Sequence, residues 1–111
     1  MFIATNRFKV KHGSETEFER VWRERDSYIA DVPGFVAFDL CRGAQKEEYT
    51  LYISHTVWAS KAAFEDWTRS DAFRLAHKDA GAASNRVNYI GGPEFEGFES
   101  VLSLTKEGKA A

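Results

Sequence analysis

The chain has a single cysteine, Cys41, among its 111 residues. That excludes an internal disulfide and the paired cysteines of a zinc site or an iron–sulfur cluster. There is no run of lysine or arginine and the net charge is −2, so the electrostatic footprint of a nucleic-acid binder is missing. No apolar run approaches the length of a membrane span. The opening residues, MFIATNRFKV, lack the long apolar segment and cleavage site of a secretory leader and read instead as a strand. The expectation is a soluble, cytoplasmic protein.

What is present is a chain of one domain's length, large enough for one hydrophobic core. Aromatics make up 14% of it, with nine Phe and three Trp. Such a content suits a dense core or a pocket for a large flat ligand. The organising stretch is Trp58 to His77, WASKAAFEDWTRSDAFRLAH. Ser60 can cap a short helix carrying Ala63, Phe64 and Trp67 on one side. Ser70 and Asp71 then break the pattern and offer a second cap. Phe73, Ala76, His77 and Ala80 follow at i, i+3, i+4 and i+7, which puts His77 in an apolar stripe near the end of the second helix. An imidazole there needs a hydrogen bond, a charge partner or a metal.

Phe2 to Val10 reads as the first strand, with its even residues buried and Asn6 the polar exception among them. A buried amide needs partners, and tying down a neighbouring backbone group is the plain account of Asn6. After the His12-Gly13 turn, Ser14 to Glu17 fits a capping box. The helix it opens carries Phe18, Val21, Trp22, Arg25 and Ile29 along one stripe to about Asp31. An arginine so placed usually lays its methylenes on the core and keeps its head in water. Pro33-Gly34 turns into a strand over 35–42, and 43–47 is a polar connection. A third strand runs over 48–58, with Tyr52, Ser54, Thr56 and Trp58 on one face and Leu51, Ile53, His55 and Val57 on the other. His55 and His12 have no ligand-spaced neighbours and read as structural or solvated. Residues 80–93 read as a small, polar connection or lid. The last strand is expected over 94–104, and 105–111 should fray.

The order β-α-β-β-α-(α)-β describes an α+β, ferredoxin-like unit with an antiparallel sheet in one domain, residues 1–104. Its second sheet face needs a cover, which pairing two chains into a homodimer supplies.

These residues resemble the IsdG-type haem-degrading monooxygenases, of the antibiotic-biosynthesis-monooxygenase group of dimeric α+β barrels. The resemblance runs through Asn6-Arg7, Gly13, Pro33-Gly34-Phe35, Val57 to Lys61 and Ala63-Phe64. Its most specific part is Trp67-x-x-Ser70-x-x-Phe73-x-x-Ala76-His77. It implies a haem site in which His77 ligates the iron and Asn6 donates its amide hydrogen at the reacting oxygen. Trp67 would press the porphyrin out of plane, with Phe73 beside it. Haem would be both substrate and cofactor, with O2 as co-substrate. Burial would help keep His77 neutral. No motif fixes the residues for the haem propionates; Arg25 and Lys78 are two candidates. The chain has no Gly-rich dinucleotide fingerprint, so electrons would come from a separate reductase or ferredoxin. On residue types alone, Trp67 is a core residue and His77 a satisfied buried histidine. A cofactor-independent monooxygenase of a polycyclic aromatic, and a non-catalytic haem carrier, share the same pattern.

Overall fold

The computed structural model describes residues 1–25, 28–84 and 87–110, with the side chains of all of these except 78–84 and 109–110. In chain order the elements are β1 (Phe2–Lys11), α1 (Glu15–Glu24), β2 (Phe35–Gln45), β3 (Tyr49–Trp58), α2 (Lys61–Thr68), α3 (Asp71–Ser84), β4 (Glu94–Glu99), β5 (Ser103–Thr105) and β6 (Gly108–Ala110). The first four strands form one antiparallel sheet in the order β2-β3-β1-β4. This is the ferredoxin-like α+β arrangement.

Alternation along β1 and β3 decides which face the helices cover. The even residues of both strands supply the core, which forms two clusters. Phe2, Ala4 and Trp58 pack with Trp67 of α2 and Ala76 of α3. Val10 and Tyr52 pack with Phe18 and Val21 of α1, and with Val87. Burying each of these aromatic side chains contributes about 1.5–3 kcal/mol. Between the clusters, the same face carries Asn6 on β1 and Ser54 and Thr56 on β3, with Asn6 directly opposite Ser54. Asn6 and Ser54 at one level, with Thr56 at the next opposite Ala4, interrupt the core there and leave room beneath the helices. The odd face carries half-buried Ile3, Leu51, Ile53 and Val57, and exposed Phe98, with none of them in either core cluster.

Local chemistry explains the helix starts. Ser60 accepts the Ala63 N–H at 3.1 Å at the head of α2. Ser70 accepts the Phe73 N–H at 3.1 Å at the head of α3. Gly34, with φ +84°, turns the chain where an added Cβ would collide with Ala63.

Several boundaries differ from expectation. The capping box is not made: the Ser14 hydroxyl accepts the Asn88 N–H at 3.1 Å, and Glu15 takes the Gly13 N–H at 2.8 Å. α1 stops at Glu24 because Arg25 turns extended (φ −77°, ψ 142°), so Ile29 reaches the first cluster from outside the helix. β2 runs on to Gln45, with register irregularities at Phe35/Ala37 and Arg42/Gln45. α3 does not end near His77 but continues to Ser84 through an alanine-rich segment of high helix propensity. The connection after it is stitched to the first strand, with Lys11 N–H donating to the Asn88 carbonyl at 2.9 Å and Ile90 N–H to that of Lys9 at 2.8 Å. β4 ends at Glu99, and the stretch expected to fray contributes to a hairpin of β5 with β6, turned at Gly108 (φ +146°).

Candidate functional site

The room between the two core clusters is a cleft made of adjoining cavities. One, of about 220 Å³, is floored by Ala4, Asn6, Ser54 and Thr56 and walled by Phe38, Phe64, Trp67, Phe73 and Phe95. The other, of about 500 Å³, is bounded by Phe8, Val21, Tyr89 and Gly91 to Pro93. Asn6, Trp22, Arg25 and His77 line both and mark their junction. Walls this aromatic with a few convergent polar groups suit a flat, largely apolar ligand with polar substituents.

His77 stands on α3, one turn beyond Phe73. Its ring stacks on that of Phe73 (centroids 3.9 Å apart, planes 29°) and its Nδ1 lies 2.9 Å from the Phe73 carbonyl oxygen. A carbonyl only accepts, so Nδ1 carries a proton, and in the neutral ring the lone pair is then on Nε2. This is the orientation of a metal-ligating imidazole, whose second nitrogen is fixed by a backbone acceptor. The expectation that burial keeps His77 neutral is corrected here: Ala76 of the same stripe is in the core, but His77 beside it is exposed, on the cleft. Among the described residues no group of His, Cys, Asp and Glu gathers as a protein-only metal cage. A single imidazole facing a wide cleft fits a metal carried in a macrocycle.

Asn6 is half-buried, and its amide makes no hydrogen bond with the described residues. The reading of it as a brace for neighbouring backbone is therefore set aside. Trp67 is 5% exposed and lies across Trp58 (6.2 Å, 27°), with Phe73 edge-on at 5.3 Å. It is both a core residue and a wall of the cleft. These contacts hold its indole in one orientation.

Arg25 departs from the usual placement of its type. Its Nε is buried with no hydrogen-bond partner, and its guanidinium carbon sits 4.3 Å from the centroid of the Trp22 ring. Burial lowers its pKa from 12.5, a cost that falls on the charged form. No ion pair among the described residues includes it. Lys78, the other cation considered, has its side chain outside the described residues.

Sequence reasoning passed over Trp22, Phe38 and Tyr89. Trp22 could have been found from its i, i+3 spacing to Arg25. Phe38 and Tyr89 reach the cleft through strand register and a long connection, which no local pattern reveals.

Two networks lie outside the cleft. Glu19 accepts hydrogen bonds from the Tyr52 hydroxyl (2.6 Å), from Arg42 (2.8 and 3.0 Å) and from Arg23 (3.2 Å), fastening α1 to β2 and β3. Burial, and the bond to Glu19, push the Tyr52 phenol up to about 12. At the other end of α1, His12 faces acceptors on both sides, with Nδ1 2.9 Å from Glu15 and Nε2 2.7 Å from the Lys46 carbonyl. Both nitrogens must donate, which raises its pKa, and the Glu15 carboxyl falls to about 2.

Residues 1–79 match the family model for antibiotic biosynthesis monooxygenase. A haem oxygenase (mycobilin-producing) of Mycobacterium tuberculosis is 31% identical over 110 residues, 98% of this chain and 97% of that protein. A haem oxygenase (staphylobilin-producing) of Staphylococcus aureus is 32% identical over 77 residues, 69% of this chain and 71% of that protein. Among solved structures, the haem degrader MhuD of Mycobacterium tuberculosis, with two haems in its active site, superposes with a TM-score of 0.67 at 25% identity, over 95% of this chain and 100% of that one. SnoaB, a cofactor-independent oxygenase of Streptomyces nogalater, does so with a TM-score of 0.65 at 25% identity, over 95% and 97%.

Proposed function

The chain belongs to the antibiotic biosynthesis monooxygenase family, and from that premise we propose that it is a haem-degrading monooxygenase. It binds haem through His77, opens the porphyrin ring with O2 and externally supplied electrons, and releases the iron. The observation that carries this reading is the His77 imidazole, with its Nδ1 proton committed to the Phe73 carbonyl, at the junction of two aromatic-walled cavities. The haem oxygenases among the relatives support it.

Haem, when bound, supplies the iron that activates dioxygen and the carbon framework that is oxidised. The protein's own residues do the rest. His77 would hold the haem iron through Nε2, and Phe73 fixes its tautomer and ring plane. Asn6, with an uncommitted side-chain amide on the floor of the cleft, would supply a hydrogen-bond donor that orients the O2 co-substrate. Trp67, backed by Trp58, would be a rigid wall pressing on a flat macrocycle. Arg25 receives a propionate. The electrons come from a separate reductase or ferredoxin. Two chains would pair as a homodimer through the odd face of the sheet, whose apolar residues belong to neither core cluster among the described residues.

The likeness to SnoaB favours one other reading, oxygenation of a polycyclic aromatic without haem. Titration with haemin separates the two: a shifted Soret band with one haem-saturable site supports the haem reading, and its absence supports the other. Aerobic reduction of the complex, with the product identified by mass, then distinguishes a degrading enzyme from a carrier. An open tetrapyrrole is the expected product; intact haem after reduction would leave a carrier.

A further inference from the structure

Among the described residues, Arg25 is a cation held without an anion. Its Nε is buried and unpartnered, and its ion-pair partner is absent among the described residues. What holds it is an aromatic ladder. Trp22 lies under the guanidinium at 4.3 Å, and Phe38 lies flat against Trp22 at 5.7 Å with planes 18° apart. Phe8 closes the stack edge-on to Trp22 at 5.8 Å.

A ring face and a carboxylate hold an arginine differently. A carboxylate consumes the N–H donors of the guanidinium plane, whereas a ring beneath that plane leaves them pointing outward. It also leaves the positive charge uncancelled by any described residue, at a half-buried position where an incoming anion is attracted more strongly than in bulk water. The junction of the two cavities is thus built to receive a planar, two-oxygen anion edge-on to Arg25.

We propose that Trp22 is a positioning residue that holds Arg25 at this junction, and that the Phe38–Trp22–Arg25 ladder makes the cleft select a porphyrin acid over the same porphyrin esterified. This rests on the haem reading for the shape of the ligand and adds to it the origin of the selectivity.

The test uses metal-free protoporphyrin IX and its dimethyl ester, titrated into the full chain and followed by porphyrin absorbance and fluorescence. The wild-type protein is expected to bind the acid about tenfold to a hundredfold more tightly than the ester, as a charge-assisted bond requires. Arg25→Gln should bring the ratio close to unity. Trp22→Leu should lower it towards that value although Arg25 is intact, and Trp22→Phe, which keeps a ring face, should restore it. The readout is a ratio between two ligands of one shape, so a general loosening of the fold would not mimic it. Should Trp22→Leu fail to fold, Phe38→Leu, at a partly exposed position, frees the far side of Trp22 and should lower the ratio in the same direction. An unchanged ratio in the folded Leu variant, or no restoration by Phe, overturns the role of Trp22. Equal binding of acid and ester by the wild type overturns the selectivity alone. Failure to bind either porphyrin while haemin still binds overturns the proposal alone, and failure to bind haemin as well overturns it together with the haem reading.

Discussion

Replacing His77 with alanine should separate ligand binding from folding almost completely. The side chain is exposed, and its described contacts are the stack on Phe73 and the hydrogen bond to the Phe73 carbonyl. Losing that one bond costs roughly 0.5–1.5 kcal/mol. Alanine returns about 0.5 kcal/mol through its higher helix propensity. The net change is within about 1 kcal/mol, a shift of about 4–6 °C or less in Tm for a chain of this size. Haem affinity should respond on another scale. Outer-shell partners of a metal ligand already change affinity by about 10–100-fold, so removing the ligand itself should exceed ~100-fold. Trp67→Ala is the contrasting control: Trp67 is 5% exposed and stacked on Trp58. Its truncation should cost about 3–5 kcal/mol and lower Tm by more than ~10 °C. Thermal melts by circular dichroism and Soret titrations with haemin on the same samples provide both readouts. A His77→Ala protein that keeps its haemin affinity, or that melts as early as Trp67→Ala, refutes the assignment of His77.

Other expectations concern the neighbours of that residue. Asn6→Ala should bind haemin within about tenfold of wild type, since it loses one neutral hydrogen bond, while turnover under reductant is lost; normal product formation would count against its role. Trp67→Phe should keep the fold and slow or redirect ring opening, and an identical rate and product by mass spectrometry would leave Trp67 as packing only. The His12–Glu15 pair gives stability a pH window. His12 is raised above 6.5, so its contribution is complete below that value and is lost as pH climbs through the folded pKa. Glu15 is lowered from 4.5 to about 2, so its contribution is present above 4.5 and is lost as pH falls towards 2. Tm should therefore peak between pH 4.5 and 6.5, and His12→Ala should abolish the decline on the alkaline side of that range; an unchanged alkaline slope would show that the pair does not govern it.

Much of the fold was legible because its signals are local. Alternation placed Phe2, Ala4 and Val10 on the covered face, and Ser60 and Ser70 announced the two helix starts through cap chemistry. Asn6 stood out as a polar break in that alternation. Its meaning, however, needed Ser54 opposite it, and register is a property of the assembled sheet. Endings were harder to read than beginnings. Ile29 continues the helical stripe of α1 by coincidence of spacing, although the backbone has already turned extended at Arg25. The alanine-rich segment after His77 looks like a connection by composition and behaves as helix by propensity. The burial of His77 was misjudged for a related reason: an apolar stripe states that a face is covered, not whether the cover is protein or a cavity. Arg25 and Trp22 could be seen to share a face, but not that the ring, in place of a carboxylate, would be the arginine's support.

Asn6, Arg25, Trp67, Phe73 and His77 all belong to one chain and all meet on the helix-covered side of its sheet. The face proposed for pairing is the opposite one. Each half of an assembled pair would then carry a self-sufficient reaction centre, with no side chain lent across the symmetry axis. Hybrids of intact and His77→Ala subunits should lose output in simple proportion to the fraction of defective subunits, and neither rescue nor poisoning of one half by the other is expected.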